Sequence, residues 1–136
     1  MQKDAVDGWL GTYIEAWKTY EPERIAELFS ADVSYRYHPY DEPVQGRDAV
    51  VASWLGEGEH VGASTRDEPG TYDAAYRTIA IDGDTAVATG TTWYSLAPGA
   101  PPDKIFHNCF VMRFDLTGRC REFTEWFIER PATQDG

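Results

Sequence analysis

Cysteine and positive charge are both scarce in this chain. Two cysteines, Cys109 and Cys120, occur in 136 residues, and 12 lysines and arginines stand against 23 aspartates and glutamates. The resulting net charge of −11 leaves no basic footprint for nucleic acid or an anionic lipid surface, both of which are held by lysine and arginine. Long apolar runs are missing too: no stretch reaches the roughly 18 residues that a membrane-spanning helix needs. The opening MQKDAVDGW has no apolar signal core, so export is not expected. Neither CxxC nor HxxxH spacing links the cysteines and the histidines His38, His60 and His107, so no metal site is implied. Phosphate loops are lacking. Gly56-x-Gly58 follows no strand, has no third glycine, and places Glu57 and Glu59 where phosphate would sit. Ser64, in GASTR, is not in a GxSxG elbow. No cofactor is expected. In a tight hairpin at Asp115–Gly118 Cys120 faces Arg113 and Cys109 faces Thr124, so the cysteines are offset and stay reduced; a cytoplasmic location is expected.

Aromatic side chains are abundant: 5 Trp, 8 Tyr and 6 Phe make up 14% of the sequence. With 42% hydrophobic residues, the chain is too apolar to be disordered. Its length suits one domain spanning residues 1–136, and a chain of this size buries about two-thirds of its unfolded surface without staples. The aromatic excess can fill a core or line a pocket.

The periodicity changes once along the chain. Val6, Trp9, Leu10, Tyr13, Trp17 and Tyr20 recur at helical spacing, predicting a helix over 4–20 with Asp4 as its cap. Pro22 is preset to open a second helix over 22–29, with Ile25, Leu28 and Phe29 on its apolar face. Residues 33–38 alternate as a strand closed by Pro39. A short returning strand at Val44–Gln45 and a third helix over 47–55 follow. After the polar loop 56–71, strands are predicted over 72–82, 84–96, 104–115 and 119–130, with a frayed tail beyond Pro131. Segregated helices and strands predict an α+β fold with an antiparallel sheet.

The last hairpin, in the register of a tight turn, sets Asn108 opposite Glu125, Phe110 opposite Phe123 and Met112 opposite Arg121. One face then carries Asn108, Phe110, Met112, Phe123, Glu125 and Phe127. The other carries Cys109, Val111, Trp126 and Ile128. Both faces are apolar in mid-sheet, and such a sheet must be covered twice. Three helices cover one face. The second is expected to pack against another copy of the chain, or the sheet curls round a cavity.

IAELFSADVSYRYHP, VQGRDAVVASWL, AIDGDTAVATG and FVMRFDLTGRCREFTEWF, together with Tyr13 and Trp17 on the first helix, resemble the nuclear transport factor 2-like superfamily, in particular its SnoaL-like branch. The resemblance covers nearly all of residues 6–130. It implies a curved sheet closed against three helices into a cone, a cystatin-like α+β barrel, with an apolar pocket and frequent dimerisation through the outer sheet face. It does not fix an activity. Ketosteroid isomerase-like members keep a helix-one tyrosine, matched by Tyr13. Their base aspartate falls on His38 here, and their protonated acid falls on Phe110. The isomerase apparatus is therefore incomplete. Polyketide cyclase-like members use an acid on the last strands, a role Glu125 could imitate with Asn108 orienting it.

Two readings stand for each candidate. His38 is a general base at the pocket mouth or a rim histidine capping a strand. Glu125 is a carboxyl group whose pKa an apolar wall raises, or one half of an ion pair with Arg121 or Arg36. Asn108 touches substrate or holds Glu125. Tyr13, Trp17, Tyr37, Trp54, Trp93 (with Thr89 and Thr91), Phe110, Met112 and Phe123 line a pocket or fill the core. Asp41 and Glu42 are expected in solvent, and Cys109 is expected to be inert. The expected partners are a small apolar or aromatic molecule and a second copy of the chain. The expected chemistry is cofactor-independent isomerisation, dehydration or cyclisation. The alternative is a binding domain without catalysis.

Overall fold

The structure, a computed structural model, describes residues 1–57 and 66–131. Gly58, Glu59, His60, Ser64 and the tail 132–136 lie outside the described residues.

Helix α1 (Lys3–Thr19) has Gln2 at its N-cap, so Asp4 lies in its first turn rather than at its cap. Its stripe of Val6, Trp9, Leu10, Tyr13 and Ala16 is buried, which offsets the cost of Gly8 and Gly11 in a helix interior. Asp7 ties the helix to the sheet. Its carboxylate accepts from Lys3 Nζ (2.8 Å) and from the backbone N–H of Thr78 (2.8 Å), and these bonds hold its pKa down at about 2. The helix ends at Tyr20, whose N–H donates to Ala16 O from a left-handed backbone (φ 51°). Helix α2 (Pro22–Glu27) is shorter than its apolar face suggested. Phe29 instead opens strand β1 (Phe29–Arg36) and is fully buried there. Strand β2 (Val44–Gln45) and helix α3 (Arg47–Trp54) follow. Strands β3 (Tyr72–Asp82), β4 (Thr85–Ser95), β5 (Pro102–Phe114) and β6 (Cys120–Glu129) carry most of the sheet.

The strand order is β2-β1-β6-β5-β4-β3. The expected antiparallel sheet is in fact mixed, because β1 runs parallel to β6 while every other pair is antiparallel. The sheet is curved, with β2 and β3 as open edges, so it forms no closed barrel. The helices cover one face. There Trp9, Tyr13, Phe29, Phe110, Phe114 and Phe123 form a continuous aromatic core. Both cysteines are free. Among the described residues no helix is long and apolar enough to cross a membrane.

The β5–β6 register differs from the tight-turn expectation by two residues. Asn108 pairs with Phe127, Phe110 with Glu125, Met112 with Phe123, and Cys109 with Trp126. Two local features each add one residue. The turn is longer, with Asp115 N–H donating to Arg119 O and Gly118 at φ 87°, the pattern of a type I turn followed by a left-handed residue. A bulge then falls between the Arg113–Glu122 and Phe114–Cys120 pairs. A shift of two keeps every side chain beyond the bulge on its expected face. The bulge also takes Arg121 out of the alternation, and its guanidinium pairs with Asp84 (3.0 Å).

Gly90, in the middle of β4, is a site of close approach. A Cβ there would overlap the Ala75 carbonyl oxygen and stand 2.7 Å from Tyr76 Cα. Backbone atoms cannot yield as a flexible side chain can, so the glycine lets β3 close onto β4. Replacement by Gly90→Ala is therefore expected to lower the melting temperature by several degrees, consistent with an overpacking cost of about 1–3 kcal/mol, and to disturb Tyr76. Thermal unfolding with near-ultraviolet circular dichroism checks this; an unchanged melting temperature contradicts it.

Candidate functional site

Four adjacent strands each send one polar side chain to the concave face. Tyr76 on β3 meets Thr92 on β4 (Oη to Oγ1, 2.6 Å), Thr92 Oγ1 donates to Asn108 Oδ1 on β5 (2.8 Å), and Asn108 Nδ2 donates to Glu125 Oε2 on β6 (2.8 Å). Each link joins diagonal neighbours two residues off the paired position, which lie within reach of each other on one sheet face. Because the Thr92 proton goes to Asn108, Tyr76 is the donor to Thr92. The chain is thus directed, and it presents the Asn108 amide N–H to the carboxylate.

Glu125 is where this chain ends. Burial raises its pKa, and the Asn108 hydrogen bond pulls it partly back, leaving it at about 7. The competing ion pairs do not form. Arg121 is engaged with Asp84, and Arg36 Nε donates to Asp41 O (3.1 Å). The carboxylate is felt by its neighbours. Burial first, and Glu125 among the charged causes, push the phenols of Tyr13, Tyr35, Tyr76 and Tyr94 upward.

These groups border a concavity of about 600 Å³ between the sheet and helices α1 and α3. Tyr13, Trp17, Tyr37, Trp54, His38, Asn108 and Glu125 all line it. Phe110, Met112 and Phe123 do not; they are at most 1% exposed and pack beneath it in the core. Trp93 points the other way. Thr92 and Tyr94 occupy the inward positions of β4, so Trp93, Thr89 and Thr91 belong to the outer face.

Inside the concavity, Tyr13 and Tyr35 share a hydrogen bond between their hydroxyls (3.1 Å). Either oxygen can be the donor in that bond. The Trp54 Nε1–H is buried without a hydrogen-bond acceptor of good geometry among the described residues, though it lies near enough to the Tyr35 hydroxyl to oppose in part the rise that burial gives its pKa. Tyr37 and Ser53 join through their hydroxyls. At the rim, His38 Nδ1 meets Asp41 Oδ2 (2.8 Å), so Asp41 is a partner of the histidine and not a purely solvated turn residue. The imidazole stacks on Tyr40 and leans on Phe127.

Asp67 also lines the concavity, and no sequence signal marked it within a polar loop. Its Oδ2 accepts from Trp17 Nε1 (3.0 Å) and Tyr20 Oη (3.3 Å). Burial raises its pKa while these two donors oppose the rise. Tyr35, Tyr76 and Tyr94 also line it, and the inward alternation of their strands is the signal in the sequence that places them there.

A curved mixed sheet with three helices on its concave side, and polar groups gathered in the hollow between, defines an α+β cone. The SnoaL-like domain family model matches residues 10–123, and the chain belongs to that family. Among solved structures it is similar to a proposed ketosteroid isomerase from Kribbella flavida, at 17% identity and a TM-score of 0.63, covering 98% of this chain and 85% of that one. It is also similar to a nuclear transport factor 2-like protein of unknown function from Burkholderia xenovorans, at 13% identity and a TM-score of 0.67, covering 99% and 91%. At such identities the likeness is one of fold. None of the curated proteins searched matches the chain.

The raised pKa makes a stability prediction. In the folded protein Glu125 holds its proton up to about pH 7, whereas an ordinary glutamate loses it near 4.5. Between these values the folded state binds more protons than the unfolded state, so its contribution to stability falls as pH rises. The contribution is complete below about 4.5, and the decline ends above about 7. Glu125→Gln is expected to lack this decline and to be more stable than the parent at pH 8. Melting curves across the range test it, and identical slopes in both proteins would contradict it.

Proposed function

We propose that the concavity binds a small, largely apolar or aromatic molecule, and that Glu125 moves a proton on it in cofactor-independent isomerisation, dehydration or cyclisation. The observation that carries this reading is a carboxyl group on the wall of the hollow, bonded to the neutral amide of Asn108 (2.8 Å) with no cation paired to it among the described residues, where burial pushes its pKa up to about 7. A general acid or base works best when its pKa lies near the working pH. Asn108 holds the carboxylate in place, and the Trp54 Nε1–H, which has no hydrogen-bond acceptor among the described residues, suits a substrate oxygen that gains negative charge as the proton leaves. His38, oriented by Asp41, is a second acid–base group at the rim.

Glu125→Gln keeps shape and polarity while removing the titration. Under this reading it folds, binds ligand with little change, and loses turnover by roughly 10²–10⁴. Retained turnover would overturn the role of Glu125 and transfer it to His38, and a parent that binds ligand without turning it over would end the enzymatic reading. A binding domain without catalysis is the second reading. Phe110 favours it, being sealed in the core at 1% exposure where isomerase-like relatives place an acid.

A homodimer belongs to the same proposal. On the outer sheet face Trp126 and Ile128 are 42% and 74% exposed, beside Val111, and a second copy would cover them. Light scattering at micromolar concentration should give twice 15.3 kDa, and Ile128→Glu should return the mass to one chain. A parent protein of single-chain mass contradicts the proposal.

A further inference from the structure

The lining of the concavity is lopsided in charge. Among the described residues Asp67, Asp103 and Glu125 border it, against the ammonium of Lys104, and no arginine takes part. Asp67 is the telling member. Both of its hydrogen-bond donors, Trp17 Nε1 and Tyr20 Oη, converge on Oδ2, and its own N–H donates to Tyr20 Oη (2.8 Å). Oδ1 receives no hydrogen bond from any described residue, and no described lysine or arginine forms an ion pair with Asp67. Arg66 is next to it in sequence but turns elsewhere, donating to Leu55 O (3.2 Å) and standing over the Tyr20 ring at 5.7 Å. Among the described residues a half-buried carboxylate is thus left without a counter-charge, in a protein that pairs Asp7, Asp73 and Asp84 with cations.

The groups around that carboxylate are aromatic. Trp17, Tyr20 and Tyr94 border the same end of the hollow, with the Trp17 and Tyr94 rings 6.2 Å apart. Aromatic faces attract a desolvated cation through their quadrupole, and ring walls beside a carboxylate are how organic ammonium groups are held. An anionic ligand would meet unpaired carboxylates in a poorly hydrated hollow. We propose that the Asp67 end of the concavity recognises an ammonium group, so that the ligand is a flat organic cation, a protonated amine carried on an apolar or aromatic body. This inference rests on the reading of the concavity as a ligand site and names the class of ligand. Tyr94 lines the same concavity as both Asp67 and Glu125. The amine is thereby anchored at Asp67 while the body of the ligand reaches toward Glu125.

The test uses three probes of one shape: naphthylmethylamine, naphthylmethanol and naphthoate. Calorimetric titration of the whole protein should find the amine bound about tenfold or more tightly than the alcohol, as a charge-assisted contact with ring walls allows, and the carboxylate bound most weakly. Asp67→Asn should remove the advantage of the amine and leave the alcohol unchanged. Glu125→Gln should preserve the advantage. An alcohol bound as tightly as the amine overturns the ammonium site while leaving the ligand-binding reading intact. A preference that survives Asp67→Asn does the same. If none of the three binds, both readings fall.

Discussion

Glu125 stands at the end of a hydrogen-bond chain that crosses four strands, and its one bonded partner among the described residues, Asn108, donates an amide N–H and no formal charge. Burial of a carboxyl group costs free energy unless it is paired or protonated. An arginine in place of Asn108 would hold the group ionised at every physiological pH, and an apolar neighbour would keep it protonated well above neutrality. A neutral donor in an aromatic hollow lies between these limits. The side chains that define the candidate site, from Tyr13 and Tyr35 to Tyr94, are arranged around that carboxyl group.

The backbone makes this balance available. The bulge in β6 removes Arg121 from the concave face and gives its guanidinium to Asp84. Gly90 lets β3 and β4 approach closely enough for Tyr76 to reach Thr92. Without the bulge, a cation would stand in line with Glu125 along its strand face. Without the glycine, the first link of the polar chain would be displaced. Neither residue touches the carboxyl group, yet both govern its surroundings.

Most of the architecture was legible from periodicity. Strand β3, the third helix and the faces of the last hairpin followed directly from alternation and helical spacing. What escaped depended on single-residue irregularities. Phe29 fits the apolar face of a helix as well as the start of a strand, and the parallel contact of β1 with β6 settles it as strand. The hairpin register required knowing that Gly118 would take a left-handed conformation and that β6 would bulge. Because those two errors together amount to two residues, the proximity of Asn108 and Glu125 survived as a diagonal contact. Trp93 was placed inward when the alternation of β4 puts Thr92 and Tyr94 there. Asp67 could not have been found, since its partners lie 47 and 50 residues away and nothing local distinguishes one acid of a polar loop from another.

The account depends on the ionisation of one side chain, and that can be observed directly. A carbon-13 nuclear magnetic resonance titration of the glutamate side-chain carboxyl groups, with Glu125 assigned by its absence in Glu125→Gln, reads the pKa without reference to any ligand. A midpoint at about 7 is expected. A midpoint near 4.5, the ordinary value for the residue, would mean that the group is hydrated or paired, and the hollow would lose its acid–base centre.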